Sequence, residues 1–230
     1  MTESPQKRVV VAIDGPSGAG KSTIAKRLAE RLGFTYIDTG AMYRAVALWG
    51  LRQKVDMEDR HRMEQLALAA EIELEPGRIR LNGEDVTDSI RTAEVSSGAS
   101  RIAAIPGVRR AMVAKQRAMG ERSSVVMEGR DIGTVVFPSA QVKIFLDARP
   151  TERVRRRLQE VRAKGEQVSE PEMAAQLEER DRRDSTRSDA PLSQAPDAIY
   201  LDSTALGVEA VEEAILKIVR ARLTNGKELS

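Results

Sequence analysis

Eight consecutive residues, Gly15-Pro16-Ser17-Gly18-Ala19-Gly20-Lys21-Ser22, constrain this chain more than any other stretch. They fit the pattern G-x-x-x-x-G-K-[ST] without a mismatch, between an apolar run, Val9–Ile13, and a helical pattern of Ile24, Ala25, Leu28, Ala29 and Leu32. A strand, a glycine-rich loop and a helix in that order make a P-loop. The glycines let the backbone fold round an anion with its N–H groups turned inward, and the helix adds the positive end of its dipole. Lys21 can reach the β- and γ-phosphates of a nucleotide and the Ser22 hydroxyl can ligate Mg²⁺. Gly15 through Ser22, with Thr23, form the expected nucleotide cradle.

The 230 residues are enough for one large α/β domain with insertions. Aromatic residues are only 3%, so the core must come from Val, Ile, Leu, Ala and Met. With no cysteine there is no disulfide or thiolate metal site, which fits a reducing compartment. The first eight residues lead into only five apolar ones, too few for a signal peptide or a membrane span, so a soluble, cytoplasmic protein is expected. The pI is near 9.0, yet the net charge is only +2, and the near balance of signs argues against nucleic acid as a partner.

Five apolar runs of strand length recur between helical patterns: Val9–Ile13, Phe34–Ile37, Val125–Met127, Val142–Leu146 and Ala198–Leu201. Continuous runs suit parallel strands buried on both faces, and ligands of such sheets lie beyond the strands' carboxyl ends. Each run is followed by an acid. Asp147 and Asp202 precede helical patterns and read as caps or turn residues; Asp14, Asp38 and Glu128, with polar, glycine-containing sequels, are the functional candidates. Two segments break the alternation. Residues 71–90 alternate apolar and polar around Pro76-Gly77 and Asn82-Gly83, which predicts a small antiparallel meander between helical patterns at about 58–70 and 92–120. Residues 149–188 are rich in arginine and poor in apolar residues; they predict two polar helices joined near Lys164-Gly165, mobile and with little surface to bury. Residues 1–6 and 225–230 are expected to fray.

Beyond the loop, Asp38-Thr39-Gly40-Ala41-Met42-Tyr43-Arg44 offers a hydroxyl and a guanidinium suited to a phosphate. The same residues would equally serve an ordinary helix start capped by Thr39. In Glu128-Gly129-Arg130-Asp131, the glutamate stands where a second P-loop acid holds Mg²⁺ or its waters. Arg130 and Asp131 read as a donor fork and an acceptor side by side, complementary to cytosine's amino group, N3 and O2; uracil would set O4 against the carboxylate. A surface salt bridge in a turn is the plain alternative. Arg180, Arg183, Asp184 and Arg187 fall on one helix face if the helix lasts that far, where three arginines could neutralise a transferring phosphoryl group. Arg153, Arg155, Arg156 and Arg157, with acids interspersed, read as a solvated, salt-bridged helix. His61, the only histidine, reads as surface and Trp49 as core.

With these pieces in order, the chain resembles the bacterial cytidylate kinases of the nucleoside monophosphate kinase superfamily. The resemblance rests on Ile13 to Ser22, Asp38 to Arg44, Ile90-Arg91-Thr92, Pro106 to Arg109, Glu128 to Pro138, Val142 to Asp147 and Arg180 to Arg187. It implies an α/β P-loop NTPase fold: a five-stranded parallel sheet flanked by helices, a small antiparallel insertion and a helical, arginine-rich lid. The core would comprise residues 1–57, 121–148 and 189–230, the monophosphate-binding insertion 58–120 and the lid 149–188. The implied reaction moves the γ-phosphoryl group of ATP, with Mg²⁺, to CMP or dCMP. The resemblance gives Ser100, Arg109 and Asp131 to the cytosine, Thr39, Tyr43, Arg44 and Arg130 to the acceptor and its phosphate, Arg180 and Asp184 to the sugar, and Arg187 to the phosphates. Lys21, Arg130, Arg180 and Arg187 would carry catalysis, and Ser22 and Glu128 the metal. Thr39 stands where some members have serine, Ser22 where some have glycine, and Glu128 where some have aspartate. A kinase for another small acceptor and a nucleotide-dependent nucleic-acid switch are the rival readings; no nucleic acid, no membrane and a monomer are expected.

Overall fold

The computed structural model describes residues 8–163, 165 and 167–225. In chain order the first half runs β1 (Val10–Asp14), α1 (Lys21–Leu32), β2 (Thr35–Asp38), α2 (Thr39–Arg52), α3 (Arg60–Ala69), β3 (Ile72–Glu75), β4 (Arg78–Leu81), β5 (Glu84–Asp85), α4 (Ala93–Ile102) and α5 (Pro106–Gly120). The second half runs β6 (Val125–Gly129), β7 (Val142–Asp147), α6 (Pro150–Arg162), α7 (Glu170–Thr186), β8 (Ile199–Asp202) and α8 (Val208–Asn225). The helical pattern over 92–120 is thus two helices, because Pro106 has no N–H to continue the first and opens the second instead. The expected joint Lys164 and the fraying expected at 1–6 lie outside the described residues; α8 reaches Asn225, and 226–230 also lie outside them.

Five strands form a parallel sheet in the order β2-β6-β1-β7-β8. Its side chains alternate with the pleat. Val10, Ala12, Val125, Met127 and Ile37 face a core built with α2, α4 and α5, whereas Val11, Ile13, Val126, Ile144 and Leu146 face a second core with α1 and α8. Burial on both faces is why these strands read as continuous apolar runs. The small sheet β3-β4-β5 is antiparallel, turns at Gly77 and Gly83, and packs Ile72, Ile79 and Leu81 into the first core. The helical pair α6 and α7 corrects the expectation of a segment with little to bury. Val154, Leu158, Val161, Met173 and Leu177 make a separate apolar cluster between the two helices, each side chain contributing about 1.5–3 kcal/mol on burial. A capping box of Ser169 and Glu172 starts α7.

The acids at the strand ends follow the sequence reading except at Asp14. Asp147 and Asp202 cap no helix; they hold turns, accepting from the backbone N–H of Ala148 and Thr204. The cap of α2 is Asp38, which accepts from Ala41 N–H at 2.8 Å, whereas Thr39 turns inward and donates to the Glu128 carbonyl. Asp14 does not line the cavity described below. Buried at the end of β1, it accepts from the backbone N–H groups of Ile132 and Gly133, both at 2.8 Å, and so anchors a single wide π-turn, Ile132–Val136, directly after Arg130 and Asp131. Burial pushes the Asp14 carboxyl up to about 6 against those two hydrogen bonds.

Asp14→Asn should therefore destabilise the fold by about 1–3 kcal/mol, because one of the two N–H groups would face an amide donor. Urea unfolding reads the loss. A carboxyl raised on folding from 3.8 to about 6 adds stability that is fully present below pH 3.8 and is lost as the pH rises through 6. The wild-type advantage over Asp14→Asn should accordingly narrow between pH 4.5 and 7; an advantage that widens would contradict this account.

Candidate active site

A cavity of about 700 Å³ lies beyond the carboxyl ends of β1, β2 and β6. At one end the glycine-rich loop leaves β1 and enters α1. Gly15 passes so close to β7 that a Cβ would sit 2.0 Å from the Leu146 carbonyl oxygen. Gly20, at the cap position before α1, offers no side-chain cap and the first turn has no acid, so the leading N–H groups of the helix are left for an anion. Ser17, Gly18, Gly20, Lys21, Ser22 and Thr23 line the cavity; Gly15, Pro16 and Ala19 are buried behind them. Lys21 is buried and rests its ammonium on the loop's own Pro16 carbonyl at 2.6 Å. Burial and the nearby Arg130 push its pKa down, a condition that an anionic ligand would relieve.

Beside the loop, the parallel register sets Asp38 of β2 opposite Glu128 of β6. Ser22 Oγ donates to Glu128 Oε2 at 3.0 Å, and the Tyr36 hydroxyl donates to Oε1. Burial, then the charge of Asp38, pushes Glu128 up, while burial and Glu128 push the Tyr36 phenol up and keep it a donor. Two facing carboxylates and a hydroxyl next to a phosphate cradle suit a divalent cation. Among the described residues no three His, Cys, Asp or Glu side chains cluster as a metal cage, so such a cation would need phosphate and water oxygens as well, the usual habit of Mg²⁺. Tyr36 was missed in the sequence because it reads as one more apolar residue of the strand.

At the far end, Arg109 of α5 and Asp131 form a buried ion pair, bordered by Ser100 of α4 and by Tyr43 of α2. The Ser100 hydroxyl and Arg109 Nε are buried without a hydrogen-bond partner in the protein. Arg109 Nε has the Asp189 carboxylate 3.7 Å away, whereas the Ser100 hydroxyl, on the cavity wall, has no such neighbour, and a buried unpaired hydroxyl is costly, so it marks a place for a ligand atom. Arg130 and Asp131 are not side by side as the sequence suggested. The chain turns between them, sending Arg130 to Asp184 of α7 at 2.8 Å and Asp131 to Arg109. The acid-and-arginine pair at this end is Arg109 with Asp131.

The arginines of α7 also differ from the one-face reading. Arg180 and Asp184 line the cavity, but Arg183 turns to Glu179 at 3.0 Å, and Arg187 lies just beyond the helix in extended backbone. Arg187 still faces the site, 3.8 Å from Asp131 and 3.9 Å from Asp184. Burial and Arg130 push Arg180 down to about 10. Although burial opposes it, Arg130 and Arg180 hold the Asp184 carboxyl below its ordinary range. Thr39 and Arg44 line the cavity between its two ends, with Arg44 held by Asp38 at 3.0 Å. On α6, Arg155 and Arg157 pair with Glu152 and Glu160 as expected of a solvated helix. Arg156 also pairs with Glu152, at 2.8 Å, but its Nη1 turns inward to the Ala19 carbonyl of the glycine-rich loop, and Arg153 turns inward to the Ser17 carbonyl and to Asp181 of α7. Four arginines in five residues gave no local sign of which two would do so.

Comparison with known proteins agrees with this geometry. A model of the cytidylate kinase family matches residues 11–221. The chain is 74% identical to a cytidylate kinase of Solibacter usitatus (strain Ellin6076) over the full length of both. It is 44% identical to a bifunctional pantoate ligase/cytidylate kinase of Synechococcus sp. (strain JA-2-3B'a(2-13)), covering 96% of this chain and 42% of that protein. A crystal structure of TT1252 from Thermus thermophilus shares the fold with a TM-score of 0.51 at 19% identity, covering 95% of this chain and 99% of that one.

Tyr36→Phe should leave one oxygen of the buried Glu128 without a donor and lower stability by about 1–3 kcal/mol. Chemical denaturation of the ligand-free protein measures it; an unchanged midpoint would show that the hydroxyl is not needed there.

Proposed function

The chain belongs to the cytidylate kinase family, and from that premise we propose how its residues move the γ-phosphoryl group of ATP to CMP or dCMP, giving ADP and the diphosphate. The observation that carries the reading is the pair of ends of one cavity: a phosphate cradle at Lys21 and, across from it, the buried Arg109–Asp131 pair beside the unpartnered Ser100 hydroxyl. Asp131 accepts from the cytosine amino group, and Arg109 and Ser100 donate to the acceptors of the same edge. Uracil would turn an oxygen toward the carboxylate, leaving buried polar groups unpaired, which is how such a site discriminates. Tyr43 closes this end.

Thr39, Arg44 and Arg130 hold the acceptor phosphate, Arg180 and Asp184 meet its sugar, and Lys21 with the N–H groups of residues 17–23 holds the ATP phosphates. Ser22 and Glu128 would hold Mg²⁺, which would supply positive charge to offset that of the phosphates. The acceptor phosphate is an anion at neutral pH, so no strong base and no covalent intermediate are needed. The transition state is loose, and catalysis is positioning and neutralisation of charge on the transferring group. Lys21, Arg130, Arg180 and Arg187 do this. Residues 1–57, 121–148 and 189–230 serve as the core, 58–120 as the acceptor-binding insertion and 149–188 as a lid that completes the arginine cluster over both substrates, excluding water from ATP.

On the same reading the chain is a cytoplasmic monomer that binds no nucleic acid, its charges being nearly balanced. No helix among the described residues is long and apolar enough to cross a membrane, and the large exposed apolar side chains there are few: Leu68, Tyr200, Leu206 and Val208.

The test is ADP release from ATP and Mg²⁺ with CMP, dCMP, UMP and AMP supplied separately. Fast turnover with the cytidine nucleotides and little with the others is expected; equal turnover with UMP would refute the base-recognition scheme. Asp131→Ala should lower kcat/KM for CMP about 10–100-fold, the value of a hydrogen bond to a charged group. Arg187→Ala should lower kcat by about 10²–10³ while ATP affinity changes only a few-fold. Equal losses in both would remove Arg187 from the transition state.

A further inference from the structure

The outward face of the glycine-rich loop is held by the helical pair. A loop that turns its N–H groups toward phosphate must turn carbonyls away from it, and those carbonyls need donors. Two are supplied by α6. Arg156 donates to Ala19 O at 3.3 Å and to Ser203 O at 2.7 Å, tying the loop to the segment after β8. Arg153 is more deeply placed. Its Nε donates to Ala148 O at 3.1 Å, and its Nη1 donates to Ser17 O at 3.0 Å and to the Asp181 carboxylate. The other oxygen of Asp181 accepts from the backbone N–H of Ser17 at 3.3 Å. Both backbone polar groups of Ser17 are therefore occupied by side chains of the helical pair, one from α6 and one from α7, which are themselves joined by an ion pair. Gly18, next in the loop, has φ +77°, and a Cβ there would lie 3.1 Å from both the Cβ and the carbonyl oxygen of Arg153. The loop and the root of α6 are in direct contact.

Asp181 sits on α7 between Arg180 and Asp184, the two residues of that helix that line the cavity. One seating of α7 therefore sets three things: Arg180 in the cavity, Asp184 on Arg130, and Asp181 on Ser17. We propose that Arg153 and Asp181 are positioning residues for phosphoryl transfer, forming a latch on Ser17 that keeps the loop in its phosphate-cradling shape when α7 brings its arginines down. Their contribution passes through the loop, and neither touches a reacting atom.

The conservative variants separate this role from plain stability. In Asp181→Asn the amide can still meet Ser17 N–H but sets a donor against Arg153. Arg153→Lys keeps the charge with one nitrogen for three acceptors. Each should lower kcat at least about tenfold, as expected for a small misplacement of bound phosphates, and should weaken binding of a fluorescent ADP analogue, with KM for CMP within about threefold of wild type. The double variant should be no worse than the poorer single one, because the two act as a unit. Assays are run well below the melting temperature of each variant. Losses that add, or wild-type kcat and ADP-analogue affinity in Asp181→Asn, would overturn the latch. Asp181, with its side chain 22% exposed, carries the test if Arg153→Lys fails to fold. The latch rests on the kinase reading, and the two fail separately: an unsubstituted chain inert toward every acceptor would sink that reading, while ADP-analogue binding would still judge the latch.

Discussion

A site that receives phosphates must hold positive charges close together before any phosphate arrives, and most of this structure answers that constraint. Lys21 and Arg180 show its strain directly: burial and the neighbouring Arg130 push both below their ordinary pKa values. Three further arginines of the site are each settled on an acid. Arg44 lies on Asp38, Arg109 on Asp131 and Arg130 on Asp184. The acids come from three different places in the chain, so the cluster exists only when β2, the turn after β6 and α7 are all seated. Pairs of this kind add little net stability, but breaking one leaves its partner buried and uncompensated. The ion pairs thus serve geometry more than stability, holding guanidinium groups at set positions until anions take over part of the pairing.

The parallel sheet supplies the reference frame. In-register strands set Asp38 opposite Glu128 and Asp14 opposite Gly129, so the acids at the carboxyl edge have fixed neighbours. Asp14 then exports that order beyond the sheet, because its two backbone hydrogen bonds fix the turn from which Arg130 and Asp131 diverge. The chemistry at the far end of the cavity depends in this way on a carboxylate that never enters it.

Features that depend on neighbours in sequence were legible in the sequence. The glycine-rich loop, the five apolar strand runs, the meander with turns at Gly77 and Gly83, and the break into α6 and α7 all follow from local patterns. Features that depend on which distant group an arginine meets were not. Arg153 and Arg155 are two residues apart in one polar helix, yet one holds a loop carbonyl and the other a solvent-facing glutamate. Arg130 and Asp131 are adjacent, yet a turn sends them to partners 54 residues downstream and 22 residues upstream. Asp38 reads as a functional candidate and Thr39 equally as a phosphate contact or a cap, and the cap is Asp38. The apolar contacts of the helical pair were hidden for a related reason. Val154, Leu158 and Val161 of α6 are widely spaced among charges, and only Met173 and Leu177 on the antiparallel neighbour make them a core.

That small core is separate from the two that pack against the sheet. The helical pair is therefore a cassette with its own mechanical stiffness. Working as the proposed lid, it would travel as one piece, with its contacts to the glycine-rich loop through Arg153, Arg156 and Asp181 made only in the closed position. Enlarging or trimming its five apolar side chains would alter how rigidly the arginines are delivered while leaving strand packing as it is. On the proposed lid role, the pace of closing and the strength of the scaffold would be separately adjustable properties of a single chain.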